Sequence, residues 1–391
     1  MASVLATHPA AAEIETPITV PEPATVFDEL ATTHPDVEEL NDADDEDTES
    51  LLTDELSLER EEYIVPLPIE GRQLDMYSEH IKHKKELLER FLKDPREFEP
   101  LTDVEEVLDH LRAIETHIDL VFAEAESSMW QHESTATQAE FAAQFGMENS
   151  TKFRFLQALF HQLRDHRKDI VLVTEQDDDQ LFHILEMFCK TNRVNYSLPT
   201  KGRHAESSVF QGNLSVTIFP SHASPITRSP DLIICLDGVQ QAASIRRRNW
   251  AGISSLHPAP ILHLVIPRTV GHIERYISPT LNKRERIHTT LASLAQMRGD
   301  MGKAIVEGTP RAQTSAAMVA GWFTYVPEWF RKPSKESSWP LPSIGSIKEV
   351  IEFQSQVSQT EASSPMPERN KRSLVSTLRA IERTLSNIST G

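Results

Sequence analysis

The chain has no phosphate-binding loop. A P-loop motor needs Gly-x4-Gly-Lys-Ser/Thr, because glycines at that spacing let backbone N–H groups wrap the phosphates. The 13 glycines of this 391-residue chain never take it. Gly302-Lys303 is followed by Ala304 and lacks the earlier glycine. No Asp-Glu pair closes an apolar run to hold magnesium. Asp237-Gly238 does end one, but a lone Asp there reads as a turn residue. Gly-x-Ser-x-Gly is also missing, which excludes the common serine nucleophile turn. His80 and His83, three apart on a predicted helix, read as a surface pair rather than zinc ligands, and so do His161 and His166. Neither catalysis nor a cofactor is expected, and a residual ATPase is the remote alternative.

Cysteine is scarce too. Cys189 and Cys235 both lie in apolar runs, as buried thiols of a reducing compartment do. No apolar stretch reaches membrane-spanning length. Met1–Thr7 has no cationic region, so a secretory signal is not expected. These absences leave cytosol or nucleus.

Basic residues are almost absent from the start of the chain. Residues 1–62 hold 19 Asp/Glu and only Arg60, so about −18 of the net charge of −20 sits there. The remainder carries 40 acids and 38 bases and is nearly neutral. Residues 1–60 have no apolar periodicity and are predicted to be an acidic disordered tail. That tail is either a solvating segment or a mimic of nucleic acid or a histone-contacting one.

Beyond the tail the chain is patterned. Tyr63–Pro68 predicts a short strand ended by prolines. Residues 72–93 predict a helix with Leu74, Tyr77, Ile81, Leu88 and Leu92 inward. Thr102–Glu126 predicts another, opened by a capping box of Thr102 and Glu105. Residues 61–149 thus form a helical segment. Ser150–Asp165 is a helix that leads into apolar runs at Ile170–Thr174, Val194–Leu198, Leu214–Phe219, Asp231–Asp237 and Ile261–Ile266. Helical patterns at Leu181–Cys189 and from Val270 alternate with them, the signature of a parallel α/β sheet. Further helices are predicted at Thr280–Met301 and Thr314–Phe323. Residues 331–391 read as a Pro/Ser-rich linker, an amphipathic helix at 346–359, a loop at Ser363–Asn370 and a last helical pattern at Ser373–Ile388. In that last pattern Leu374, Leu378, Ile381 and Leu385 recur at coiled-coil spacing.

Cations come after several strands. Lys201 and Arg203 lie past the second apolar run of the sheet. Arg246, Arg247 and Arg248, with Trp250, lie past the fourth, and Arg268 past the fifth. In a parallel sheet the loops leaving the strand ends share an edge. Two readings stand: contacts to the phosphates of DNA without base specificity, or solvated loops paired with Asp177, Asp178 and Asp179.

The phrases Asp231–Gly238, Gln240-Gln241 through Arg246–Arg248, and His257–Arg268 with His272–Ile277 resemble the end of a Snf2-type helicase C-terminal lobe. Ser150–Phe153 resembles its start. The glycine loop expected after the third strand is replaced by Pro220–Ala223. Together with Tyr63–Pro68, Glu70–Gln73 and Asn195–Pro199, this degenerate lobe at 150–330 resembles the fungal class II histone deacetylase complex subunits 2 and 3. The resemblance implies a RecA-like lobe without nucleotide motifs in a nuclear, non-catalytic, DNA-binding subunit. It would contribute to chromatin-mediated silencing. The partners implied are a class II deacetylase catalytic subunit, a paralogous subunit through a coiled coil, and duplex DNA or the nucleosome, with no membrane. The competing function is a protein-interaction scaffold that never touches DNA.

Overall fold

The computed structural model describes residues 62–121, 144–175, 177–199, 210, 212–224, 227–238, 242–246, 250, 259–303, 310–329, 339–344 and 347–363, except the side chains of 243, 325–329 and 360–363. The acidic tail and the helical pattern at Ser373–Ile388 lie outside these residues.

Six strands are formed: β1 (Glu62–Pro66), β2 (Asp169–Thr174), β3 (Asn195–Ser197), β4 (Ser215–Pro220), β5 (Leu232–Cys235) and β6 (Ile261–Val265). They make one sheet in the order β1-β6-β5-β2-β4-β3, every pairing parallel. The central strands β2 and β5 are continuous apolar runs because both sheet faces are covered. Ile170, Leu172, Leu232 and Ile234 face one core, while Val171, Val173, Ile233 and Cys235 face another. The first core is roofed by α4 (Thr151–Leu163), α5 (Asp179–Thr191) and α9 (Ala312–Trp329). The second lies under the short helix α6 (Ala242–Arg246). This is the expected α/β, RecA-like lobe.

A third core is mainly helical. It joins α1 (Arg72–His83), α2 (Lys85–Lys93), α3 (Leu101–Thr116), α7 (Val270–Glu274), α8 (Lys283–Met297) and α10 (Lys348–Ser363) beyond the end of β6. Both cysteines are buried and unpaired with each other, as their apolar settings predict.

Three local expectations are corrected. The helix predicted over 72–93 is two helices, because Lys84 (φ −93°, ψ 9°) closes α1 and opens α2. The helix predicted over Thr102–Glu126 ends at Thr116, where His117 turns extended (φ −158°, ψ 134°) and buries its ring against Phe153 at 4.4 Å. The capping box of Thr102 and Glu105 does not form. The helix starts at Leu101, so Thr102 is already inside the first turn, and Glu105 pairs with Lys283 instead. A capping box does form at Asn282 and Glu285, opening α8.

Residues 62–66, within the segment read as helical, supply the edge strand of the sheet. Leu67 N–H donates to Val265 O at 2.9 Å. By the alternation of a strand, Tyr63 and Val65 then face β6, while Ile64 and Pro66 face outward. Pro66 offers no N–H there, and Trp339 Nε1 donates to Ile64 O at 3.2 Å. Trp339 also stacks on Tyr63 (4.6 Å, 24°) and meets Trp322 edge-on (5.0 Å, 88°). The edge is thereby guarded against strand addition.

Candidate functional site

Strands that all run one way bring their carboxyl ends to one edge, where open α/β sheets bind ligands. Here that edge holds a cavity of about 290 Å³ walled by the ends of β2, β5 and β6 and by α3 and α7. Charges of both signs line it, and most are tied to a neighbour. Lys152, in the first turn of α4, donates from Nζ to Leu236 O at 2.7 Å. Asp237 accepts from Glu175 N–H at 2.7 Å, joining the chain beyond β2 to that beyond β5. Burial lowers the Lys152 pKa, against the pull of Glu115 and Asp237. Burial raises that of Asp237, with Lys152 opposing. Glu175 is raised by its own burial and then by Asp237.

Glu115, in the last turn of α3, is the hub of the helical side. It accepts from Tyr77 Oη at 2.9 Å and from Gly271 N–H at 3.1 Å. Tyr77 Oη in turn accepts from Val270 N–H at 3.1 Å. The first two N–H groups of α7 are therefore capped by side chains from α1 and α3, not by its own Thr269. Glycine at position 271 suits this, since a Cβ there would lie 2.7 Å from Glu115 Oε2 and force the carboxylate to shift. Burial pushes the Glu115 carboxyl up to about 7, against the pull of Lys152. Nearby, Gln73 ties three elements. Its amide donates to Ile114 O (2.7 Å) and its carbonyl accepts from Thr151 N–H (3.0 Å).

A second chain of charges crosses the sheet. Arg275 Nη1 donates to His263 Nδ1 at 2.8 Å, so His263 carries its proton on Nε2 and donates it to Glu62 Oε2 at 2.9 Å. Burial lowers the His263 pKa, with Glu62 opposing, and the imidazole is neutral. The hydrogen bond from His263 holds Glu62 low. Arg112 forks onto Glu274 through Nε and Nη2 and also pairs with Asp109. The one cysteine of the cavity, Cys235, has its thiol pushed up by burial and so kept protonated, unsuited to attack.

The glycine that might have suggested a nucleotide loop has a backbone task. Gly302 (φ 70°) accepts from Ile69 N–H and donates to Pro267 O, and a Cβ there would collide with Ile69 Cγ2.

Of the cations that the sequence points to, Lys201, Arg203, Arg247 and Arg248 lie outside the described residues. Arg246 is 7% exposed, and its Nε donates to Ala259 O at 3.0 Å, just before β6 begins. It sits at the amino edge of the sheet because α6 carries the chain back from the carboxyl edge. Arg268 stands at the carboxyl edge, in the left-handed region (φ 57°), and its N–H donates to His272 Nδ1 at 2.9 Å. Its Nη1 lies 3.2 Å from Asp300 Oδ2. Arg246 and Arg268 are thus at opposite ends of β6.

The family model described as class II histone deacetylase complex subunits 2 and 3 matches residues 58–310, well over half of the chain and all six strands. The chain belongs to that family. Among solved structures, it is similar to a chain from structural and functional studies of the yeast class II Hda1 HDAC complex. The identity is 17%, the match covers 75% of this chain and 99% of that one, and the TM-score is 0.54. A chain from the crystal structure of fission yeast Ccq1 and Tpz1 also matches, at 14% identity over 73% and 97% of the two chains, with a TM-score of 0.45. No curated protein matches. The region matched by the subunit 2 and 3 family includes every residue of the charge network above.

Glu115 and Lys152 do not stand out in the sequence as site residues, although a signal is there. Glu115 falls in phase with Leu108 and Leu111 on the apolar stripe of α3, and Lys152 in phase with Leu156, Leu159 and Leu163 on that of α4. A charge on a stripe marks a buried, partnered ion. The Glu62–His263–Arg275 chain has no such signal, since its members are far apart in sequence.

Proposed function

We propose that this class II deacetylase complex subunit is non-catalytic, acts in the nucleus, and holds duplex DNA by its phosphates while a catalytic partner removes acetyl groups. A paralogous subunit is the second partner, and chromatin silencing is the outcome. The observation that carries this is the direction of the sheet. β3 and β6 end at the same edge, so the segments bearing Lys201 and Arg203 on one side and Arg268 on the other start from it. Arg247 and Arg248, which follow Arg246 in the sequence, would make a separate contact. The missing phosphate loop and the internally paired charges of the cavity favour holding over turnover.

The scaffold reading has support of its own, in the burial of Arg246 and the pairing of Arg268 with Asp300. Fluorescence anisotropy on two unrelated duplexes across a salt series separates the two. Phosphate holding predicts equal affinities and a log–log salt slope of about −0.9 per neutralised phosphate. No binding, or binding without salt dependence, supports the scaffold.

A further inference from the structure

We propose that the carboxyl-edge cavity is a binding site for a small organic monocarboxylate with an apolar body, held by Lys152, Arg275 and Arg286. This inference is independent of DNA binding. It follows from which hydrogen-bonding groups on the cavity wall are already satisfied. Six carboxyl groups line the cavity, and each accepts from a neighbour. Glu274 and Asp109 accept from Arg112, Glu115 from Tyr77 and Gly271, and Asp237 from Glu175 N–H. Asp178, the N-cap of α5, accepts from Gln180 N–H at 2.8 Å, and Glu175 from Ser221 Oγ at 3.3 Å.

The donors are not used up. Lys152 is 4% exposed, yet its Nζ has one acceptor, Leu236 O, and its other N–H groups have none among the described residues. It pairs directly with neither Glu115 nor Asp237, although both attract it. Arg275 donates once, to His263 Nδ1, and its remaining guanidinium N–H groups have no acceptor among the described residues. Arg286, in the first turn of α8, makes no side-chain hydrogen bond or ion pair among them. Lys152 and Arg275 stand close enough to repel each other. A buried ammonium with unfilled donors beside a second cation is unfavourable, and a ligand that brings acceptors relieves it. That ligand is an anion, and the guanidinium fork matches a carboxylate. One negative charge suits the wall better than two, because six carboxyls there outnumber four cations. Burial raises Asp237 and Glu175 and lifts Glu115 to about 7, which reduces the repulsion that a monoanion meets. Much of the remaining wall is apolar, with Leu120, Leu181, Leu264, Val265 and Ile266. A cavity of about 290 Å³ is close to the smaller ligand pockets, with room for a carboxylate on a short aliphatic chain or a ring.

Calorimetric titration of the whole chain tests this, with butyrate, its neutral isostere butyramide, its cationic counterpart butylamine and inorganic phosphate, all at constant ionic strength. Butyrate should bind saturably at one site, with a Kd on the order of 1 mM or tighter, and should raise the melting temperature. Butyramide and butylamine should do neither. Arg286→Ala should weaken butyrate about tenfold or more and leave the melting temperature of the free protein unchanged, since this side chain has no partner to lose. Lys152→Met, which keeps the apolar stem and removes the ammonium, should weaken it as much, with far-UV circular dichroism as the check on folding. The butyrate and butyramide arms need no variant, so they decide the matter even if Lys152→Met fails to fold. Absence of saturable butyrate binding would overturn the proposal. Equal binding of butyramide would overturn it too, by making the cavity a merely apolar one, and so would an unchanged affinity in Arg286→Ala. Phosphate binding more tightly than butyrate would replace the monocarboxylate by a dianion and overturn it as well.

Discussion

Glu115 concentrates the physics of this molecule in one side chain. It is a buried carboxylate whose partners come from α1, α4 and α7, and its pKa is raised to about 7 by burial. Between pH 7 and the ordinary value of 4.5, the folded chain holds a proton that the unfolded chain releases. This group therefore adds stability as pH falls through that window. The buried imidazoles of His117, His272 and His288 act in the other direction. Burial lowers them to about 3, 4 and 4, so below pH 6.5 the unfolded chain takes up protons first and stability is lost. The net fall on acidification should steepen when Glu115→Gln removes the compensating group. Urea midpoints of both proteins at pH 8 and pH 5.5 measure this, and parallel pH dependence would rule out the raised carboxyl. Gly271→Ala should cost about 1–3 kcal/mol of unfolding free energy, since the new methyl meets the Glu115 carboxylate. An unchanged melting point would show that α7 is not held by this cap.

At the scale of elements, the strands are legible because most are short apolar runs rich in β-branched residues, the exception being β3 (Asn-Tyr-Ser), which is flanked by Val194 and Leu198, and all five strands predicted within the lobe occur within a residue or two of their predicted bounds. Strand order is not legible. Nothing in Tyr63–Pro68 says that it lies beside β6, some two hundred residues on, because parallel pairing leaves no local signature. The same gap hides the site. A basic run after a strand suggests a shared edge, but helix α6 carries Arg246 to the other end of the sheet. Arg246→Ala should accordingly act on stability, costing about 1–3 kcal/mol for the part-buried carbonyl of Ala259 left without its donor. Its effect on DNA affinity should be small if the folded fraction is held constant. Thermal unfolding and DNA binding of the same preparation check both halves. The edge strand makes a parallel case: Trp339→Ala should lower stability by about 1–3 kcal/mol and free the Ile64 carbonyl. A stability change within error would mean that the aromatic cluster of Tyr63, Trp322 and Trp339 contributes little to closing the edge.

For the whole molecule, charge is divided along the chain. About −18 lies in residues 1–62 and the remainder is close to neutral; under the proposed function the acidic tail would compete with DNA for the same cations. Deleting residues 1–58 should leave the melting temperature nearly unchanged and strengthen DNA binding at low salt. Weaker binding after deletion would show that the tail does not compete. The proposed function makes one central claim, that this subunit holds DNA phosphates through cations that follow the strands of its sheet. The most direct measurement replaces Lys201, Arg203 and Arg268 together by alanine and repeats the salt titration on two unrelated duplexes. Phosphate holding predicts a folded protein with weaker binding to both sequences alike, and a salt slope flatter by about 0.9 for each phosphate no longer neutralised. A folded variant with unchanged affinity and slope would contradict it.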